Sequence, residues 1–367
     1  MPKKSDNIDF ARLCNSIQNA RWTMQPYREE HLGMSRQLAG SRYSHNAARK
    51  RVYINLVGLY DKIVSRNLIS NTPKTNLSTF DTEQEPAVAI MQQDLNDTLE
   101  HIHFAETVRR GVQDALISVG ILKVSLATPA DSATMAWRQE AGTVLASQVN
   151  LDDFVYDIHA RNFDEVTYMG HRFRAPKQVI EESKHYDARA RKKLELSYHT
   201  PYNQQGDEKI GMIGRGYYGI ENEFEDMVDL WEIYLPQYGV VVTLPENNIS
   251  GVEGIQEGHE IIPLSVQRWI GEESGPYKIL SYGSVPGNPF PIGPMQAIFD
   301  LHDLGNEIYR KLARQAKDCK DIFLCTNAED AARIQKTKDG GMVNVTDPKS
   351  VIQIQMGGVN QNLFQFL

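Results

Sequence analysis

The sequence predicts an α+β fold with strands in the middle of the chain and helices towards both ends. Three observations carry this. Apolar residues recur at three- and four-residue spacing through much of the first 125 positions. Short runs rich in Val, Ile, Thr and aromatics, partly alternating, follow Gly120. A long amphipathic pattern then returns from Pro294 to Lys320, beyond a proline-rich stretch. With 367 residues, 41% apolar and 23% charged, the chain suits two or three domains and excludes a disordered or fibrous class.

The segment NAARKRVYINLVGLYDKIVSRNLIS sets Val52, Leu56, Leu59 and Ile63 on one helical face, and Asn71-Thr-Pro73 ends it. A second long helix is expected from about Glu85 to Ser118, with Pro86 in its first turn. ILKVSLAT, TVLASQVN, DDFVYDI and EVTYMGHRF read as strands. Pro176 opens a short helix, PKQVIEESKH, and ARARKKLELS forms another. Residues 202–222 are polar and glycine-rich, the composition of a surface loop. MVDLWEIYLP and GVVVTLPE form a hairpin about Pro236-Gln-Tyr-Gly239, and EIIPLSVQRWI and YKILSYG add strands.

VPGNPFPIGP holds four prolines in ten residues and marks a stiff boundary, since proline lacks the donor that helices and central strands need. The helix beyond it aligns Met295, Ile298, Leu301, Leu304, Ile308 and Leu312. Asp300 and Asp303 lie near its start and Arg310, Lys311, Arg314, Lys317 and Lys320 at its end, an order that complements the helix dipole. A small α/β unit follows: strand DIFLCT, helix NAEDAARIQKT, a turn at Lys338-Asp-Gly-Gly341, and strands MVNVT and SVIQIQM. GGVNQNLFQFL ends in an apolar cluster, from which we expect the natural protein to continue.

No run approaches the roughly 18 apolar residues that cross a bilayer, and the first residues lack the apolar core of a signal peptide. Synthesis in the cytoplasm without a membrane partner is expected. Cys14, Cys319 and Cys325 form no CxxC pair and are read as reduced core thiols. A formal charge of −8 excludes a protein that wraps nucleic acid in cations, but not one past which DNA slides.

Chemistry has little footing. Gly214-Arg-Gly216-Tyr-Tyr-Gly219 matches GxGxxG, yet neither a buried strand before it nor a helix after it is evident. There is no GxxxxGK[ST], GxSxG or HExxH. His101 and His103 on one helix would point about 200° apart, which separates their imidazoles. The acidic run Glu221, Glu223, Glu225, Asp226 and Asp229 lacks the glycines of an EF-hand and reads as a solvated edge. No catalytic residue, cofactor or metal is expected.

Asp164-Glu-Val-Thr-Tyr-Met-Gly-His171-Arg172-Phe before PKQVIEE, then Trp231-Glu-Ile-Tyr-Leu-Pro236, Gly275-Pro276-Tyr277, Val285-Pro-Gly-Asn-Pro-Phe-Pro291 and HDLGNEIYRKLARQAKDCKD resemble the portal family of tailed bacteriophages. The likeness covers the chain from about residue 150 onward. It implies a ring, typically of twelve subunits, at one capsid vertex. The ring would conduct double-stranded DNA in packaging and ejection and meet the terminase large subunit, a head–tail adaptor, and the major capsid and scaffolding proteins. The expected fold is portal-like: residues 1–125 the helical part of a wing, 126–285 its β-rich part, 286–320 a hinge and first stem helix, 321–357 a clip, and 358–367 the start of a second stem helix. The rest of that helix and the crown would lie beyond this chain. Ile298, Leu301, Leu304, Ile308 and Leu312 would pack the stem, Arg314, Lys317 and Lys320 would line the DNA channel, and Arg333, Lys336 and Lys338 would dock partners. Two other readings compete. A nucleotide-dependent enzyme built on residues 211–219 would lose activity on replacement of Gly214 and Gly216 by alanine. Another virion ring protein of the neck or tail would lack the helix, module and helix order of residues 294–367.

Overall fold

The computed structural model describes residues 8–39, 54–134, 140–196, 226–250, 261–318, 320–325, 327–336, 344–347, 349 and 351–356. The protein is α+β, and its chain divides into two units: residues 1–45 with 55–298, and residues 46–54 with 299–367.

In the first unit the helices are α1 (Phe10–Thr23), α2 (Gln25–Ala39), α3 (Leu56–Leu68), α4 (Glu85–His101), α5 (Phe104–Ile117), α6 (Pro129–Thr134), α7 (Lys177–Glu182), α8 (Ala188–Arg191) and α9 (Asn247–Ser250). The strands are β1 (Gly120–Leu126), β2 (Val144–Val149), β3 (Phe154–Tyr156), β4 (Met169–Pro176), β5 (Met227–Leu235), β6 (Val240–Pro245), β7 (Ser265–Arg268) and β8 (Tyr277–Leu280). They form a five-stranded sheet ordered β3-β4-β5-β6-β7 and a three-stranded sheet ordered β2-β1-β8, antiparallel throughout. The β5–β6 turn closes as expected on Gly239, whose φ of 62° suits glycine.

Strand periodicity divides β5 between two cores. Trp231, Ile233 and Leu235 meet Leu13, Cys14 and Ile17 of α1, so the N-terminal helix belongs to the core of the β-rich region. Glu232 and Tyr234 turn to the other face, where Tyr234 joins Ile121, Phe154, Tyr277 and Phe290. Phe290, from the proline-rich segment, stacks on Tyr27 and lies against Tyr156 and Phe163. Gly293 approaches so closely that a Cβ there would lie 2.2 Å from the Ile117 carbonyl oxygen. Only glycine admits that contact, and it ties the residue before the long helix to the end of α5.

Several expectations are corrected. The helix expected over Glu85–Ser118 is two, because His103 adopts a left-handed φ of 51° between α4 and α5. Leu56, Leu59 and Ile63 of α3 face outward, whereas Val57, Gly58, Asp61 and Ser65 turn inward. Pro176 caps α7 without entering it, and the described residues of ARARKKLELS yield only the four of α8. Of the described residues of EIIPLSVQRWI, only Ser265–Arg268 pairs as a strand. Asp229 is no solvated edge: it is buried in β5 with an oxygen 3.2 Å from Arg174 Nε.

The second unit carries most of α10 (Pro294–Asp318), β9 (Lys320–Cys325), α11 (Ala328–Lys336) and β10 (Val351–Met356). Its strands pair antiparallel from Lys320↔Met356 to Cys325↔Val351. Asp330 of α11 is buried and accepts from Thr346 N and Oγ1, both at 3.2 Å. The described part of MVNVT, residues 344–346, is not strand.

A buried cluster joins the two sheets of the first unit. Lys123 and Tyr277 face each other across β1 and β8, and His171 and Glu232 across β4 and β5. Lys123 Nζ lies 2.9 Å from Glu232 Oε2, and both side chains are buried. Breaking such a pair strands the surviving charge, at a cost of about 3–5 kcal/mol, whereas replacing both members by apolar groups costs far less. Glu232→Gln is therefore expected to lower unfolding free energy by about 3 kcal/mol, and the double variant K123M/E232L by less than the single one. Urea titration of the three chains measures this; a single variant as stable as the parent would contradict it.

Candidate functional site

Polar chemistry concentrates in two places, the inter-sheet cluster and α10. In the first, the Tyr277 hydroxyl donates to the Glu232 carbonyl oxygen at 3.1 Å and so has no proton for His171 Nδ1, 2.8 Å away. His171 is thereby set as the neutral Nδ1–H tautomer, which donates to Tyr277. Burial, and then the Lys123 charge, hold its pKa well below the ordinary histidine value. Burial also opposes charge on Lys123, but Glu232 and Asp131 outweigh it and hold the ammonium above its usual value. A cleft of about 430 Å³ opens beside the cluster, lined among others by Val124, Leu126, Val144, Trp269 and Glu232. The neighbouring Arg172 grips Asp153 at 2.8 Å. His171 and Arg172, conspicuous in the sequence, thus act as fastenings of the fold.

Sequence reading missed Lys123 and Glu232. The available signal was a lone charge in each of two otherwise apolar strands, ILKVSL and LWEIYL, at positions that alternation turns inward. Cys14, read as a core thiol, is buried, and burial pushes its pKa up to about 12. His101 ends α4, while His103 precedes α5 and Glu106 pairs with Arg110. Among the described residues no group of His, Cys, Asp and Glu could hold a metal. No described helix is long and apolar enough to cross a membrane. The glycine-rich loop 211–219 lies outside the described residues.

On α10, 25 residues long, three faces differ. Met295 and Leu312 are buried and Ile298 and Ile308 half-buried, but Leu301 is 68% and Leu304 44% exposed. The stripe is therefore covered at its ends and open in the middle. The face that the chain covers there lies about 100–140° round the helix from Leu301 and carries His302 and Asn306. Asn306 works as a backbone mimic: its Oδ1 accepts from Ile54 N at 2.9 Å and its Nδ2 donates to Ile54 O at 3.2 Å. Directly opposite Leu301, at 100° per residue, stand Arg310, Arg314 and Lys317. Arg310 binds the Asn306 carbonyl at 3.0 Å, whereas Arg314 and Lys317 are exposed. Lys320 is the first residue of β9. Arg333 and Lys336 are exposed in the last turn of α11, Arg333 reaching the Asn344 carbonyl at 3.4 Å; Lys338 lies outside the described residues.

The lowered pKa of His171 has a signed consequence. The unfolded chain takes up the proton first, so this residue's stabilisation is complete above its unfolded pKa, near 6.5, and is lost as pH falls below it. Stability should decline between pH 7 and pH 5, with His171 contributing at most about 1.4 kcal/mol per pH unit. His171→Gln should show a shallower decline in urea titrations over that range; an unchanged slope would contradict the assignment. Comparison of the sequence with protein-family models finds no match, and comparison with curated proteins finds none.

Proposed function

We propose that the chain is the subunit of a bacteriophage portal: a ring at one capsid vertex that conducts double-stranded DNA and offers docking surfaces to terminase and to head-completion or tail proteins. The observation that supports this best is the open middle of the α10 stripe. A helix of 25 residues is about 37 Å long, and burying one leucine is worth about 2 kcal/mol, so Leu301 and Leu304 favour an additional partner. Tilted stem helices in a closed ring supply that partner by heterologous contact, each stripe seated against the next subunit.

The charge distribution fits the same reading. Arg310, Arg314 and Lys317 stand opposite the stripe, so a stripe held between subunits leaves them on the free side of the helix. Sparse cations on a chain of net charge −8 attract phosphate without gripping it, as a conduit requires. The strand, helix and strand of β9, α11 and β10 then serve as the docking module, with Arg333 and Lys336 on its surface.

The double variant L301S/L304S tests this. Both leucines are exposed in the single chain, so unfolding free energy measured at dilutions where the chains are monomeric should change by no more than about 0.5 kcal/mol per site. Sedimentation should show large assemblies for the parent chain and their loss in the variant. Parent and variant sedimenting alike would overturn the role given to the stripe.

A further inference from the structure

We infer that the outward faces of α3 and α4 are two halves of one contact between subunits, α3 of one copy seated on α4 of the next. This rests on the ring reading and deepens it by naming the surfaces that meet. Both helices pack on α5, yet each turns a row of large apolar side chains to solvent. On α3 these are Leu56, Leu59 and Ile63, which fall within one side of the helix. On α4 they are Ile90 and Met91, 63% and 65% exposed, and α4 has no buried residue at all. Exposed apolar surface this concentrated marks an interaction site.

Charge identifies the occupant. Interleaved with the apolar row of α3 are Lys62 and Arg66, both exposed, and the one acid of that helix, Asp61, turns inward to Ser65 and Gln113. The exposed charges of α4 are Glu85, Asp94, Asp97 and Glu100, with no Lys or Arg. Lys62, Arg66, Asp94 and Asp97 make no ion pair with any described residue of their own chain. Two copies of α3 would oppose cation to cation, and two copies of α4 acid to acid. An α3–α4 pair instead matches basic to acidic and apolar to apolar. In the ring reading each copy offers α3 to one neighbour and α4 to the other, which makes the contact heterologous, and such a contact gives a ring where its rotation closes. A neighbouring copy is the occupant that both the apolar rows and the unpaired charges fit.

Charge reversal of the 367-residue chain decides the matter, read as the fraction assembled at a concentration where the parent is fully assembled. The variants K62E/R66E and D94K/D97K should each lower that fraction at least tenfold, since each sets like charges face to face. All sites are exposed, so the far-ultraviolet circular dichroism spectrum should be unchanged, which separates lost assembly from lost folding. The quadruple variant K62E/R66E/D94K/D97K restores opposite charges at every contact and should recover assembly. Rings formed equally well by the double variants would overturn the inference while leaving the ring reading standing. Failure of the quadruple variant to recover would overturn the α3–α4 pairing. A parent chain that stays monomeric at every concentration would remove the ring reading and this inference with it.

Discussion

The first unit depends on the ion pair between Lys123 and Glu232, buried between its two sheets. An unpaired ammonium at that depth would be prohibitive, so the sheets are constrained to meet in the register that brings the two together. Tyr277 and His171 complete the junction from the facing strands, and Tyr277 heads β8. Chain that follows β8 then folds back onto the same body, with Phe290 seated among Tyr27, Tyr156 and Phe163 and Gly293 against the end of α5. The start of α10 is thereby held at a defined point. A rigid origin suits the stem role proposed for this helix.

The proposal for that helix rests on incomplete coverage. Asn306 draws Ile54 onto one polar face of α10 by two backbone hydrogen bonds, and this leaves the neighbouring apolar stripe open over Leu301 and Leu304. The rows on α3 and α4 repeat the pattern elsewhere in the fold. Surfaces of this kind are costly for a lone soluble chain and cheap for one built to be surrounded by copies of itself. Channel, docking module and subunit contact would then be separate parts of one design, each read from where charge and apolar surface part company.

Much of this was legible because periodicity reports amphipathicity directly. The α10 pattern, the β5–β6 hairpin and the strands about Gly120 and Val144 emerged at nearly their observed limits. What periodicity does not say is which body an apolar face meets. Leu56, Leu59 and Ile63 make a good stripe whether it faces a core or a partner, and in this fold it faces outward. The break at His103 was hidden too, since a left-handed residue that is not glycine leaves no compositional mark. Long-range pairs such as Lys123–Glu232 and Arg21–Glu246 join residues 109 and 225 positions apart, beyond the reach of any local pattern.

Electron microscopy of the purified 367-residue chain addresses the central claim most directly. Closed rings of uniform size, near twelve subunits and pierced by an axial hole, are the predicted result. Compact single subunits without a central opening, persisting as concentration is raised, would contradict it.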